Sequence, residues 1–175
     1  GLGIMKYNLL ICDLNLIKNL IQTIDQPLTQ IIQESMQVND ADSFGYFDRA
    51  EHITGLGFTA FQTYITSVYG YLKIEKRTAL SIGPTYSESL MKVQIINHAA
   101  NYWKYNSEWT FDKNKRQRKY VEDAFETVGF PVSTDYPLSG ILTEMASPDS
   151  VGFEAIIEML EIWRDELCGL ETSTV

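Results

Sequence analysis

Apolar side chains in this chain recur at steps of three and four, and that spacing restricts it to helical folds. Leu9, Leu10, Leu14, Ile17, Leu20, Ile21 and Ile24 fall on one helical face. The spacing predicts a helix over 7–24, closed by Pro27, and a shorter helix over 28–36 with Pro27 in its first-turn position. Residues 39–43 read as a loop leading to an N-cap. The aromatic-rich stretch 44–72 has strand propensity, but Phe47, Ala50, Ile53, Gly57, Phe61, Tyr64, Ile65, Val68 and Leu72 keep helical steps. A helix is therefore expected, with Gly55 and Gly57 marking either a close helix crossing or a break.

Further along, Gly83-Pro84 reads as a turn, with Ser87 or Ser89 capping a helix over 89–108. A helix over 116–128 should stop at Gly129-Phe130-Pro131. A short helix is expected over 137–146. Ser147-Pro148-Asp149-Ser150 reads as the cap of a last helix over 151–167, with Gly169 just past its end. The fold expected is all-α: one helical domain over 1–175, a bundle of about six or seven helices.

Composition excludes several classes. Of 175 residues, 45% are hydrophobic and 21% charged, an ordinary globular balance. No apolar run approaches the ~20 residues of a membrane helix. Two cysteines, Cys12 and Cys168, are too few for a disulfide framework or a zinc site, and Cys12 sits among apolar neighbours as a core residue would. The opening Gly1-Leu2-Gly3-Ile4 lacks the charged region of a secretory signal, so the expectation is a cytoplasmic chain with free thiols.

Charge is distributed unevenly. The net charge of −9 divides into −4 over 1–72, +6 over 73–119 and −11 over 120–175. The basic middle can pair with the acidic remainder inside the fold, or form a local patch for phosphates. The overall acidity argues against double-stranded DNA as a partner.

The helix over 89–108 carries the most informative polar pattern. At ~100° per residue, Gln94, Asn97, His98, Asn101, Lys104, Tyr105 and Glu108 share one arc. Val93, Ile95, Ile96, Ala99, Ala100, Tyr102 and Trp103 cover the rest, so the helix is expected to be central. The polar arc is rich in Asn and His, both poor helix formers. It reads either as an exposed or hydrogen-bonded face, or as the wall of a cleft. In the second reading His98 carries protons, Lys104 contacts an anion, Asn101 orients a substrate group and Glu108 pairs with Lys104. A second polar cluster, Asp48, Arg49, Glu51 and His52, allows Asp48 to hold the His52 imidazole, or is simply a helix start with acidic residues in its first turn. No metal or other cofactor is implied: there is no His-x-x-x-His or Glu-x-x-His pair, no Gly-x-Ser-x-Gly elbow and no P-loop. Lys113, Lys115, Arg116, Arg118 and Lys119 place five basic residues in seven. They form either a solvated helix start or a nucleic-acid contact, with Trp103, Tyr105 and Trp109 available for base stacking.

The string Asn97-His98-Ala99-Ala100-Asn101-Tyr102-Trp103-Lys104-Tyr105-Asn106-Ser107-Glu108-Trp109 resembles a motif in a group of bacterial proteins of uncharacterised activity. The stretches 57–65 and 79–84 add to the resemblance. That group is similar to the HEPN superfamily, all-helical domains found in toxin–antitoxin and phage-defence loci, many of them metal-independent ribonucleases that act as homodimers. The resemblance implies RNA as a partner and a homodimer or protein partner; the lack of a long apolar run implies no membrane. It implies Lys104, Asn101, His98, Glu108 and His52 as the residues acting on RNA. The chain departs from the superfamily pattern twice. No Arg is followed by a His four to six residues later, since Arg49 and His52 are three apart, and Tyr105 stands where a His is expected. Lys104-Tyr105 keeps a cation but supplies no base near neutral pH. Three functions are therefore expected to compete: an HEPN-like ribonuclease or its degenerate RNA-binding relative, a noncatalytic homodimeric or partner-binding module, and a small-molecule pocket between helices beside the polar arc.

Overall fold

The computed structural model describes residues 2–109, 115–146 and 152–172. Among them the helices are joined by turns and loops and by one small hairpin. Helix α1 spans Leu2–Ser35 and α2 Tyr46–Tyr71. A single turn, α3, covers Lys76–Ala79. Strands β1 (Thr85–Ser87) and β2 (Leu90–Met91) pair antiparallel and lead directly into α4, Lys92–Tyr105. A 3-10 turn over Asn106–Glu108 ends it. Helices α5 (Lys115–Val128), α6 (Pro137–Ala146) and α7 (Glu154–Thr172) complete the bundle. The expected all-α architecture of about seven helices is what forms.

Helix α1 does not stop at Pro27. One 34-residue helix replaces the two expected. An interior proline costs about 3 kcal/mol, because it gives no N–H and crowds the preceding turn. The apolar seam offsets this. Leu10, Leu14, Ile17, Ile21, Ile24, Leu28 and Ile31 continue at alternating steps of four and three across the proline, in contact with the core. Each buried aliphatic contributes about 1.5–3 kcal/mol, so the positions beyond Pro27 outweigh its penalty.

Helix α2 is the central element, also unbroken, with Phe58, Phe61, Tyr64, Ile65 and Val68 almost fully buried. Its glycines mark close approaches rather than a break. A Cβ on Gly55 would stand 2.1 Å from the Trp103 ring, and one on Gly57 2.3 Å from the Phe153 ring. Gly45, at φ 69°, is the N-cap to which the 39–43 loop leads. Asp40 accepts the Ser43 amide and hydroxyl in the turn before it.

The hairpin was not expected. The helix predicted from Ser89 begins three residues later, with Met91 as its N-cap and the Gln94 side chain accepting the Met91 amide at 2.8 Å. The Pro84 carbonyl accepts the Lys92 amide and ties the hairpin to the helix start.

Helix α5 ends as the sequence indicates. Gly129 takes φ 91°, its amide bonds to the Glu126 carbonyl, and the Phe130 amide bonds to the Phe125 carbonyl. Helix α7 runs through Gly169, which was expected beyond its end. The predicted cap at 147–150 lies outside the described residues, as does the side chain of Cys12.

Two carboxylates from the N-terminal helices hold the starts of the C-terminal ones. Glu51 on α2 accepts the backbone amides of Leu138 and Ser139, both at 2.8 Å, and the Ser139 hydroxyl at 2.7 Å. Asp25 on α1 accepts the Phe153 amide at 3.0 Å, just before α7. Burial pushes the Asp25 carboxyl up from its ordinary value; the Phe153 amide works in the opposite direction.

Gly55→Ala should lower unfolding free energy by about 1–3 kcal/mol, since the Trp103 ring must move. Gly70→Ala, where a Cβ meets nothing within 4 Å, should raise it by about 0.5 kcal/mol. Urea unfolding of the two variants beside the wild type checks the opposite signs.

Candidate functional site

The polar arc of α4 is continuous by helical angle but is split by what covers it. α2 runs antiparallel to α4, so Gln62 faces Asn97 and Asn101 while His52 and Gly55 face Trp103. Gln62, Asn97 and Asn101 are all buried. The Gln62 carboxamide donates to Asn97 Oδ1 at 3.0 Å and Asn101 Oδ1 at 2.9 Å, with a longer contact to the Asn97 carbonyl at 3.4 Å. Asn101 is therefore committed to helix packing and not to a substrate. Gln94 serves as a cap. The first half of the arc is a hydrogen-bonded helix interface, not a cleft wall.

His98 lies at the edge of this interface, half-buried. Burial, reinforced by the Lys76 charge, pushes its pKa down to about 4. The imidazole is neutral at neutral pH, and no hydrogen-bond partner is assigned to it among the described residues. A base this weak is a poor proton carrier at neutral pH.

Beyond α2 the arc opens to solvent. Lys104 and Tyr105 are exposed, and Lys104 Nζ lies 5.1 Å from the centroid of the Tyr105 ring. The expected Lys104–Glu108 pair does not form. The α-helix ends at Tyr105, so Glu108 falls in the 3-10 turn, where the i, i+4 relation is lost. His52 is exposed and meets the Trp103 ring edge-on at 4.8 Å. Asp48 makes no hydrogen bond to it among the described residues.

The basic segment enters beside this end of α4. Tyr102 packs on both Trp109 and Phe125, joining α4 to α5. The Arg118 guanidinium lies 5.8 Å over Trp109, and Arg116 lies 5.7 Å over Tyr120 while its Nε donates to the Tyr120 hydroxyl. Arg118 also pairs with Glu122 at 2.7 Å and Lys119 with Asp123 at 3.0 Å. Lys115 and Arg116 have no carboxylate partner among the described residues. Lys113 lies outside them.

Helix α5 is arranged against its own dipole. Cations fill its start, its first turn holds no acidic residue and its last turn no basic one. Carboxylates stabilise a helix N-terminus and cations its C-terminus. The ion pairs also run cation-first, the weaker order. Helical stability does not select this pattern.

Of the five residues expected to act together, then, Asn101 and His98 are drawn into the helix interface. His52, Lys104 and Glu108 stay exposed around Trp103 and the end of α4. The sequence reading missed the packing role of Gln62. Its signal was a lone amide on a helical face otherwise holding Phe58, Phe61 and Ile65. It also read Glu51 only as part of a polar cluster, because the amides that Glu51 caps lie 87 and 88 residues away. Among the described residues, no group of three or more His, Cys, Asp or Glu side chains is placed to hold a metal ion, and no helix is long and apolar enough to cross a membrane. The chain matches no protein-family model, no curated protein and no solved structure.

Because the folded-state pKa of His98 lies below its unfolded value, the unfolded chain takes up a proton before the folded one does. Stability contributed by neutral His98 is complete above about pH 6.5 and is lost as pH falls towards 4, by up to ~3 kcal/mol. His98→Gln should lose less stability than the wild type between pH 7 and 4.5 in urea titrations at both values. Parallel losses in the two proteins would refute this role for His98.

Proposed function

We propose that this domain binds single-stranded RNA without cutting it, as a degenerate relative of the HEPN-like proteins its motif resembles. One observation carries the reading. Along α4 and α5, with His52 of α2 beside α4, rings lie against basic side chains: Lys104 with Tyr105, Arg116 with Tyr120, Arg118 over the buried Trp109, and His52 edge-on to Trp103, the Tyr105 and Tyr120 rings being exposed. Rings give a stacking surface that tolerates any base, and the cations track phosphates. The reversed charge polarity of α5 supports it, since cations that oppose the helix dipole serve something other than the helix. Lys104, Lys115 and Arg116 are free of carboxylate partners among the described residues, so they meet a phosphate without first breaking an ion pair. Cleavage is less well supported, because Tyr105 replaces the expected base, His98 is held neutral and Asn101 is bonded to Gln62.

Self-association is the second reading. Met5, Leu9, Leu16 and Leu20 are exposed on α1 at steps of four and seven, a stripe suited to the same helix of a second copy.

Fluorescence anisotropy with a labelled single-stranded RNA in EDTA tests the first reading. Binding should weaken with salt at a log–log slope of about −0.7 per phosphate contacted. Lys104→Ala and Arg116→Ala should each weaken it several-fold, and Tyr105→Ala by roughly tenfold or more, as expected when a stacked base loses its ring. The RNA should remain intact on a denaturing gel. Salt-independent binding, or variants that bind like the wild type, would overturn the assignment. Cleavage lost in Lys104→Ala would restore the ribonuclease.

A further inference from the structure

A cavity of about 180 Å³ lies between α1, α2 and α6, away from the α4–α5 face. Its walls are Leu28, Ile32, Phe47, Ala50 and Leu142. An apolar cavity of ~150 Å³ suffices to hold a benzene molecule, so this one has room for a phenyl-sized body.

Its polar lining is of one kind. The hydroxyl-bearing residues among those lining it are Thr54, Tyr136, Ser139 and Thr143, with Thr54 almost fully buried. Each already donates its hydrogen to the protein. Thr54 donates to the Ala50 carbonyl at 2.7 Å, and Thr143 to the Ser139 carbonyl at 2.9 Å. Ser139 donates to Glu51 at 2.7 Å, and Tyr136 to Asp42. What remains for an occupant is lone pairs. The cavity accepts hydrogen bonds and has none to give from these groups.

Its electrostatic setting has a matching sign. Asp42 sits on the Tyr136 hydroxyl, and Asp48 and Asp135 are close enough to act on the same ring. Together they push the phenol up to about 12, the Asp42 hydrogen bond contributing most. Among the described residues, no lysine or arginine lines the cavity. The nearest cation on α2, Arg49, is turned onto the Tyr46 ring at 4.6 Å.

We propose that this cavity is a binding site for a small hydrophobic ammonium ion. An aryl or branched alkyl body of about phenyl size fills the apolar walls, and its ammonium donates to the lone pair of the Tyr136 hydroxyl, which lies against the Asp42 carboxylate. A neutral donor satisfies the lone pairs but not the charge, and an anion satisfies neither. The site is separate from the proposed RNA surface and does not depend on it.

The test uses the full chain and three probes of one shape: benzylammonium, benzyl alcohol and benzoate. Amide chemical shifts of Thr54, Ser139 and Leu142 are followed by NMR. Benzylammonium should give saturable shifts at these residues with an affinity of about 1 mM, typical of an efficient fragment of its size. It should bind about tenfold more tightly than benzyl alcohol, as a charge-assisted hydrogen bond implies, and benzoate should not bind. Ala50→Leu, which grows a side chain into the cavity, should abolish the shifts. Asp42→Asn, on an exposed turn, should leave benzyl alcohol binding unchanged and bring the two affinities together. It decides the matter if Ala50→Leu does not fold. Absence of saturable shifts, equal binding of the three probes, or an undiminished preference for ammonium in Asp42→Asn would overturn the proposal.

Discussion

Helix α2 meets α4 across a contact that leaves no room for a side chain at Gly55 and depends on a single carboxamide at Gln62. The glycine lets the Trp103 ring rest against the α2 backbone. The carboxamide reaches two asparagines one helical turn apart. A buried amide without partners costs about 1–3 kcal/mol, so sliding or rotating α4 against α2 is penalised in either direction. The rest of the molecule takes its position from this pair. The α4 N-terminus carries the hairpin, its C-terminus meets α5, and α2 on its other sides holds α1 and α6. The same crossing sets which part of the polar arc faces solvent.

How much of this was legible follows from the range of each interaction. Helix content, the end of α5 and the limits of α6 rest on neighbours in sequence, and periodicity with glycine and proline signals revealed them. The seam through Pro27 was equally local. Reading the proline as a stop overlooked that Leu28 and Ile31 continue the same heptad. The β1–β2 hairpin has five paired or flanking positions and little alternation, so no pattern could announce it. The arc on α4 was visible as chemistry but not as environment. Nothing in 97–101 says that Gln62 will meet it, although an amide on the buried face of α2 was a signal that something must. Lys104 and Glu108 were expected to pair by spacing alone, and the early end of α4 removed the geometry that spacing assumes.

The uneven charge along the sequence divides in the fold. Arg118 and Lys119 are neutralised by acids one turn along their own helix, and Lys18 reaches Glu161 to tie α1 to α7. Arg164, buried among Tyr7, Tyr64 and Asp165, holds the other end of the α1–α7 contact. Among the described residues, Lys104, Lys115 and Arg116 keep no carboxylate partner at the α4–α5 end of an otherwise acidic molecule. If that end binds RNA as proposed, repulsion by the acidic remainder favours short, flexible strands over duplex.

Asp25 and Glu51 also bear on the order in which the chain becomes available. Both lie in the N-terminal third, yet the amides they receive belong to the starts of α6 and α7. A ribosome delivers the acceptors first and the donors up to 128 residues later. The C-terminal helices thus emerge onto a scaffold that already holds their caps, and neither has to supply those acceptors from its own sequence. A circularly permuted chain beginning at α6 would keep every contact of the native state and lose this sequence of events.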